Sequence, residues 1–380
     1  MRQGECDSSG VLAAAGRDSD SVLVVCREEV SVFTLGGREE QEGGVRVAAA
    51  GGTGYTVKCS RWGLEASLPC QSLAHLTSLA WSGGCLVAAD LTQPAIVLLR
   101  EQDGRLEPVQ RIPCPAPVWM VCGAPEGAVV QLEGGALLDL RWEGWSEASL
   151  AAREAFPGQC DPMLVTGEGG VLGLTARHAL VLGPRPLLEG VTSLALHSHY
   201  LLATTREHRL LAMALASLGE AREGQDQGRK VERGSRLVCA VPHNSRTVLQ
   251  MPRGNLEVVQ PRALSVRMVA ELLDSASYAE AFLLARRQRM NLNLLVDHDR
   301  AAFTAGVPAF VSQLRERGDF LNIFLADLAE EDVCATMYSS LYPGRLEGGR
   351  GGGKVAAVCR QVGGAGARDW SQAACYAISY

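Results

Sequence analysis

The sequence predicts a β-propeller of WD type, degenerate and incomplete, followed by the start of an α-solenoid built from helical hairpins. Three observations carry that prediction. Apolar runs of about four to seven residues recur from residue 21 to residue 261, and most gaps between them hold Gly, Pro, Asp, Asn or Ser. Three or four such runs fit each stretch of roughly 40 residues, the length of a four-stranded blade. Between Val259 and Val266 the hydrophobic period changes from about two to about 3.6, the mark of strands giving way to helices.

In chain order, residues 1–20 are charged and small and are expected to be loose. SVLVV (21–25) and VSVFTL (30–35) then read as a hairpin, and further strand-like runs follow up to NLEVV (255–259). They form about five or six blade-like groups. A sandwich would use fewer strands, and a parallel α/β fold would need intervening helices. Only Glu147–Ala155 hints at a helical period. The blades lack a Trp-Asp dipeptide and a Gly-His signature, hence the reading as degenerate. Residues 214–235 are polar and charged after their first few positions and read as a long loop.

Pro261 removes a ladder donor and ends the propeller, expected over residues 21–261. A helical-repeat start is expected over 262–338. Val266, Val269 and Leu273 give the first helix one apolar face. Ser277 and Glu280 have the spacing of a capping box for the second, whose face is Tyr278, Phe282 and Ala285. Asp299 can cap a third helix, with Pro308 as a start or a kink. Phe320, Phe324 and Leu328 mark a fourth. Nine glycines fall between Gly344 and Gly366, so residues 339–380 read as a disordered or aberrant tail.

Composition excludes several classes. The 380 residues carry a net charge of -6, so the chain as a whole is not a polyanion binder. Arg286, Arg287 and Arg289 form one local basic spot, of the kind that is usually a solvated helix face. The twelve cysteines include no C-x-x-C pair, and Cys26, Cys85, Cys122 and Cys239 sit in apolar runs as small buried hydrophobes would. No signal-peptide core, N-x-S/T site or bilayer-length apolar run is present, which points to a reducing intracellular compartment.

Four groups of residues invite chemistry, and each has a plainer explanation. GGRGGGKV (348–355) fits G-x-x-x-x-G-K, but Val355 stands where a phosphate loop needs Ser or Thr, and no strand leads into it. His197 and His199 would share one side of a strand, yet no carboxylate lies near in sequence, so two surface histidines are favoured. Asp297-His298-Asp299 sits between helices, where Asp serves as a cap. Asp90 and Asp139 end or interrupt strands without evident pairing. The sequence therefore nominates no catalytic, cofactor-binding or metal-ligating residue and implies no cofactor.

One resemblance is specific. LVCAVPHNSRTVLQMPRGNLEVVQPRAL, NLNLLVDHD and FLADLAEEDVCATMY, with RKVERGSR (229–236) and VLGLTAR (171–177), resemble the family of largest, scaffold subunits of the Elongator complex, the IKAP type. The run Met251-Pro252-Arg253-Gly254-Asn255-Leu256-Glu257 is its sharpest part. The resemblance covers about residues 20–338 and is strongest from 229 to 338. It implies two tandem WD-type propellers and a long helical arm. By that pattern this chain starts inside or just before the second propeller, holds only the start of the arm, and leaves the family after Tyr338, as a truncated or mis-spliced gene model or an isoform would. It implies a scaffold and not an enzyme, supporting wobble-uridine modification of tRNA by docking catalytic subunits. The implied partners are the other Elongator subunits, including the acetyltransferase-type one; tRNA is met only indirectly, no membrane is involved, and the homodimerisation region is expected to be missing. The implied location is the cytoplasm, with the nucleus as a second compartment. The alternatives are a propeller–solenoid scaffold of a membrane coat or transport complex and, in another class, a propeller hydrolase. Open edges of an incomplete propeller also predict poor solubility in isolation.

Overall fold

The computed structural model describes residues 76–218, 228–342 and 353–365 apart from short loops at 83, 91, 103–104, 144–146, 242–243 and 316–318. Between residues 11 and 69 it describes strands by their backbone alone. Six antiparallel sheets follow one another along the chain, five of four strands and a last one of three. The first holds β1 (Val11–Gly16), β2 (Ser21–Cys26) and β3 (Glu29–Leu35). A separate ribbon, β4 (Gly43–Ala48) with β5 (Gly54–Cys59), then leaves the sheet before β6 (Trp62–Pro69) completes it. The second holds β7 (Leu76–Ser82), β8 (Cys85–Asp90), β9 (Ala95–Gln102) and β10 (Arg105–Pro113). The third holds β11 (Val118–Ala124), β12 (Gly127–Leu132), β13 (Leu137–Glu143) and β14 (Glu147–Arg153). The fourth holds β15 (Cys160–Val165), β16 (Val171–Thr175), β17 (Leu180–Leu182) and β18 (Arg185–Leu188). The fifth holds β19 (Val191–Leu196), β20 (Tyr200–Thr205), β21 (Arg209–Ala214) and the short β22 (Arg229–Lys230). The sixth holds β23 (Arg236–Ala240), β24 (Thr247–Gln250) and β25 (Leu256–Val259).

This is the propeller arrangement, and the apolar runs explain it. β8 (CLVAAD) and β12 (GAVVQL) are buried along their whole length, as strands covered on both faces by neighbouring blades must be. Single polar side chains tie blade to blade. Ser78 Oγ accepts from the Val121 amide at 2.7 Å, and Ser82 Oγ donates to the Ala124 carbonyl at 2.8 Å. The buried Gln131 amide exchanges two bonds with the Cys160 backbone, at 2.9 and 2.7 Å, and Ser193 Oγ accepts from the Leu237 amide at 2.8 Å. Gly173 permits the close approach of β15 to β16, since a Cβ there would meet Cys160 Sγ at 2.7 Å.

Several expectations about the strands are corrected. Residues 1–20 contain β1, whose VLAAAG pairs with β2. Glu147–Ala155 is not helical: β14 pairs with β13 over its full length. The loop expected at 214–235 contains β22, which completes the fifth blade.

The helices follow at once. α1 (Arg262–Asp274) and α2 (Tyr278–Arg287) form the first hairpin, with Val266, Val269, Leu273, Tyr278, Phe282 and Ala285 all buried as their spacing predicts. After the single turn α3 (Leu294–Asp297) come α4 (Arg300–Arg315), with Pro308 inside it, and α5 (Phe320–Ala326). Phe310 sits at their centre, edge-on to Phe303, Phe324 and Tyr278 with centroids 5.1, 4.8 and 5.6 Å away. The glycine-rich segment is not wholly irregular: α6 (Lys354–Gly364) packs Val358 and Val362 into this same core. Its i, i+4 apolar pair was hidden by the glycines on either side. Among the described residues no helix is long and apolar enough to cross a membrane.

Candidate functional site

Two of the four groups that invited a chemical reading, the 297–299 triplet and Lys354 of the glycine-rich run, converge on one end of the helical hairpins, where α3, α4, α6 and the 327–338 segment meet. Asp297 is fully buried at its centre. Lys354 Nζ donates to both its carboxylate oxygens, at 2.9 and 3.1 Å, and to the Glu331 carbonyl at 2.6 Å. The Val333 amide donates to Asp297 Oδ2 at 3.0 Å, and Arg300 bridges Asp297 and Asp332 at 3.2 and 3.3 Å. Asp297 is thus not the helix cap its position suggested. It is a buried carboxylate paired with a cation and a backbone donor.

The phosphate-loop-like run meets a related fate. Residues 348–352 lie outside the described residues. Gly353, with φ +110°, opens α6, and the amides of Gly353, Lys354 and Val355 donate to the Glu330 carboxylate at 3.0, 2.8 and 3.2 Å. A helix N-terminus attracts an anion, and here the chain's own carboxylate fills the place. Lys354, which would reach a nucleotide phosphate, is held on Asp297 instead. Gly353, Lys354 and Val355 therefore form a structural lock.

The rest of the acidic-histidine triplet divides the same way. Asp299 Oδ1 accepts from the amides of Ala301 and Ala302 at 2.9 Å each, the expected cap of α4. His298 lies 2.9 Å from Asp274 and 2.9 Å from the Tyr342 hydroxyl. The Ser277–Glu280 box does not form. Ser277 has φ -87° and ψ 62° and makes no side-chain cap bond. Gln313 of α4 does that work from across the hairpin, accepting from the Ala279 amide at 3.1 Å and donating to the Ala276 carbonyl at 2.9 Å.

In the propeller, His197 and His199 do not share a strand face, because they lie in the turn between β19 and β20. His197 is buried, not on the surface, 3.0 Å from the Asn244 carbonyl. His199 reaches Glu271 of α1 at 2.9 Å, a link between propeller and helices that no local pattern announces. Asp90 and Asp139 are both paired after all. Arg111 meets Asp90, which also accepts from the amide and hydroxyl of Thr92 at 2.8 and 2.6 Å, and Arg153 meets Asp139 at 2.8 Å. Of the cysteines read as buried, Cys85 is buried, Cys122 half-buried and Cys239 exposed, while the side chain of Cys26 lies outside the described residues. Burial pushes the Cys160 thiol up to about 11 and raises those of Cys85, Cys114, Cys122 and Cys359, away from the reactive thiolate. Among the described residues no three His, Cys, Asp or Glu side chains gather as a metal site.

The segments that carry the sequence resemblance touch one another. Asn293 Nδ2 donates to the Asp327 carbonyl at 2.8 Å, and Asn293 Oδ1 accepts from the Ala329 amide at 2.9 Å. The Leu292 amide donates to Asp327 at 3.1 Å, and the Asn291 amide to the Tyr338 hydroxyl at 3.1 Å. NLNLLVDHD and FLADLAEEDVCATMY are therefore the two sides of one polar clasp. Likewise Ser235 of RKVERGSR donates to Met251 Sδ, 3.5 Å away, at the start of the MPRGNLE turn.

Comparison with known proteins agrees with this reading. A family model described as "ELP1 N-terminal second beta-propeller" matches residues 18–238, more than half of the chain, and one described as "ELP1 alpha-solenoid" matches residues 262–371. The chain belongs to the Elongator complex protein 1 family. The solenoid match corrects the expectation that family sequence ends at Tyr338, because it runs across the glycine-rich segment and includes α6. Elongator complex protein 1 of Rattus norvegicus is 30% identical over 86% of this chain and 28% of its own length. That of Mus musculus is 31% identical over 86% and 28%. That of Saccharomyces cerevisiae is 37% identical over 45% and 13%. The chain thus spans less than a third of the length of these relatives.

Proposed function

We propose that this chain is a non-catalytic scaffold part of the Elongator complex, which supports wobble-uridine modification of tRNA by docking the catalytic subunits. One observation carries the reading. Among the ionisable groups with the look of chemistry, Asp297, Lys354, His298 and Glu330 are engaged in bonds between helical segments, and Asp299 caps its own helix α4. Family membership supports the same view, and a rigid disc joined to a helical array offers surfaces for several partners. In this reading the partners include the acetyltransferase-type catalytic subunit, tRNA is met indirectly, and the chain works in the cytoplasm and also in the nucleus. Affinity purification of the tagged chain tests it. Recovery of the acetyltransferase-type subunit is the expected result. Recovery of coat or transport proteins without any Elongator subunit overturns it.

A further inference from the structure

The sixth blade differs from the other five. They end in an outer strand (β6, β10, β14, β18, β22), whereas the sixth stops at β25, whose outer edge pairs with no strand among the described residues. Its side chains are also unlike those of a finished edge. Val258 is 62% exposed and Leu256 39%, two of the few large apolar side chains exposed in the described chain. They lie on one face, in register with Val248 and Gln250 of β24, while Glu257 between them points to the other. An unpaired strand with bare apolar residues on one face is a template for a further strand. Val238 on β23 shares this exposure.

Beside this edge lies unpaired positive charge. One residue past β25, Gln260 accepts a bond from Gln288 Nε2 at 2.6 Å, which ties the strand's end to the end of α2. Arg286 and Arg287 close α2, Arg289 follows with φ +51°, and Arg262 of α1 donates to the Gln288 carbonyl at 3.0 Å. All four are exposed. Elsewhere Arg111, Arg141, Arg153, Arg267 and Arg300 each face a carboxylate, while Arg177, Arg185, Arg206 and Arg246 stand apart from one another along the chain without one among the described residues. Arg262, Arg286, Arg287 and Arg289 have no such partner among the described residues, and Arg286 only stacks 6.0 Å from the Phe282 ring. The helix dipole accounts for Arg286 and Arg287 at a C-terminus. It does not account for Arg262, which sits at a helix N-terminus.

We propose that β25 and this arginine cluster form one docking surface for an extended acidic segment of a partner protein, which adds as the fourth strand of the sixth blade. Backbone pairing with β25 supplies affinity, and alternate side chains supply specificity. An antiparallel strand, the pairing found throughout these blades, begins beside Val259 and Gln260. The segment therefore carries its acidic residues first, at the arginines, and then two apolar residues separated by one, beside Val258 and Leu256. Glu257 disfavours an acidic residue directly opposite it, which fixes that order. Phosphate would suit the arginines alone, but the exposed apolar edge next to them favours a peptide. The inference goes beyond the Elongator reading and does not depend on it.

The test uses the full chain and a labelled synthetic peptide with an acidic N-terminal half and an alternating valine–threonine C-terminal half. Fluorescence anisotropy should show salt-sensitive binding. Val258→Lys should weaken it by about tenfold, and so should the joint change Arg286→Glu, Arg287→Glu, Arg289→Glu. Exchanging the two halves of the peptide should weaken it similarly. Exchange of those β25 amides that face away from β24 should slow when the peptide binds, a readout that needs no variant to fold. Two outcomes overturn the proposal: no peptide binding, with or without binding of polyuridylate at the arginines; or outward β25 amides already protected in the chain alone, which means its own residues fill the edge.

Discussion

The propeller and the helices are held by different means. Blade meets blade through apolar strands buried on both faces, with serine or glutamine side chains tying three of the joints to backbone. The helices share an aromatic core, but their ends are fixed by charged and polar side chains: Asp297 with Lys354 and Arg300, Glu330 on the N-terminus of α6, and His298 hydrogen-bonded to Asp274. The difference follows from geometry. A sheet satisfies its own backbone groups along its length, so a blade needs little help from side chains. A short helix leaves unsatisfied groups at both ends, and five helices in about 65 residues (262–326), with α6 beyond, present many ends close together. The lesson is that clustered charge near helix ends can signal assembly of the helices instead of chemistry.

The largest expected effect tests that lesson at its centre. Asp297→Ala leaves Lys354 buried without its counter-charge and should destabilise the helical part by about 3–5 kcal/mol. The paired change Asp297→Leu with Lys354→Met removes both charges and should recover most of that loss. Urea denaturation followed by helical circular dichroism measures both. If the single change has little effect, the helices do not rest on this ion pair.

Gly306→Ala comes next. Alanine favours a helix over glycine by about 1 kcal/mol, yet a Cβ at Gly306 would run into the Tyr278 hydroxyl. Tyr278 is buried and packed on Phe310, so it has little room to yield. Overpacking of this kind typically costs about 1–3 kcal/mol, so the net change should be a loss of about 1–2 kcal/mol. A gain in the denaturation midpoint would show that α2 and α4 have slack between them.

Most of the architecture was legible in the sequence because it is written locally. Runs of alternating or continuous apolar residues mark strands wherever they fall, and Val266, Val269 and Leu273 mark α1 by spacing alone. What could not be read is what long contacts decide. Lys354 and Asp297 are 57 residues apart, and nothing near either residue names the other. Gln313 replaces Ser277 as the cap of α2 from 34 residues away. Glu271 finds His199 across the junction of the two parts. β22 has two residues, too few to show a period, and α6 was masked by flanking glycines. Asp299 reads correctly as a cap because its partners are the amides of the next turn, whereas Asp297 does not, because its partner lies in another element.

Two changes at helix starts separate a real cap from an apparent one. Asp299→Ala removes an acceptor for the Ala301 and Ala302 amides and should lower stability by about 1 kcal/mol. Ser277→Ala removes a hydroxyl that caps nothing and should change stability by no more than about 0.5 kcal/mol. Equal effects in thermal unfolding would restore the capping box at Ser277 and weaken the role given to Gln313.

The smallest expected effect lies between the two parts. Glu271 takes Arg267 at 3.0 Å and His199 at 2.9 Å, with all three side chains well exposed. Exposed pairs of this kind contribute about 0–1 kcal/mol and are screened by salt. The same junction buries Ala263 and Leu264 of α1 among Leu237, Leu249, Met251 and Val259 of the last blade. Burying a leucine side chain contributes about 1.5–3 kcal/mol, so packing should outweigh the ion pair. Glu271→Ala should therefore shift the unfolding midpoint slightly at low salt and not at all in molar salt, whereas Leu264→Ala should shift it by several times as much in both. A Glu271→Ala effect that matches Leu264→Ala would mean that charge joins the propeller to the helices, as it joins the helices to one another.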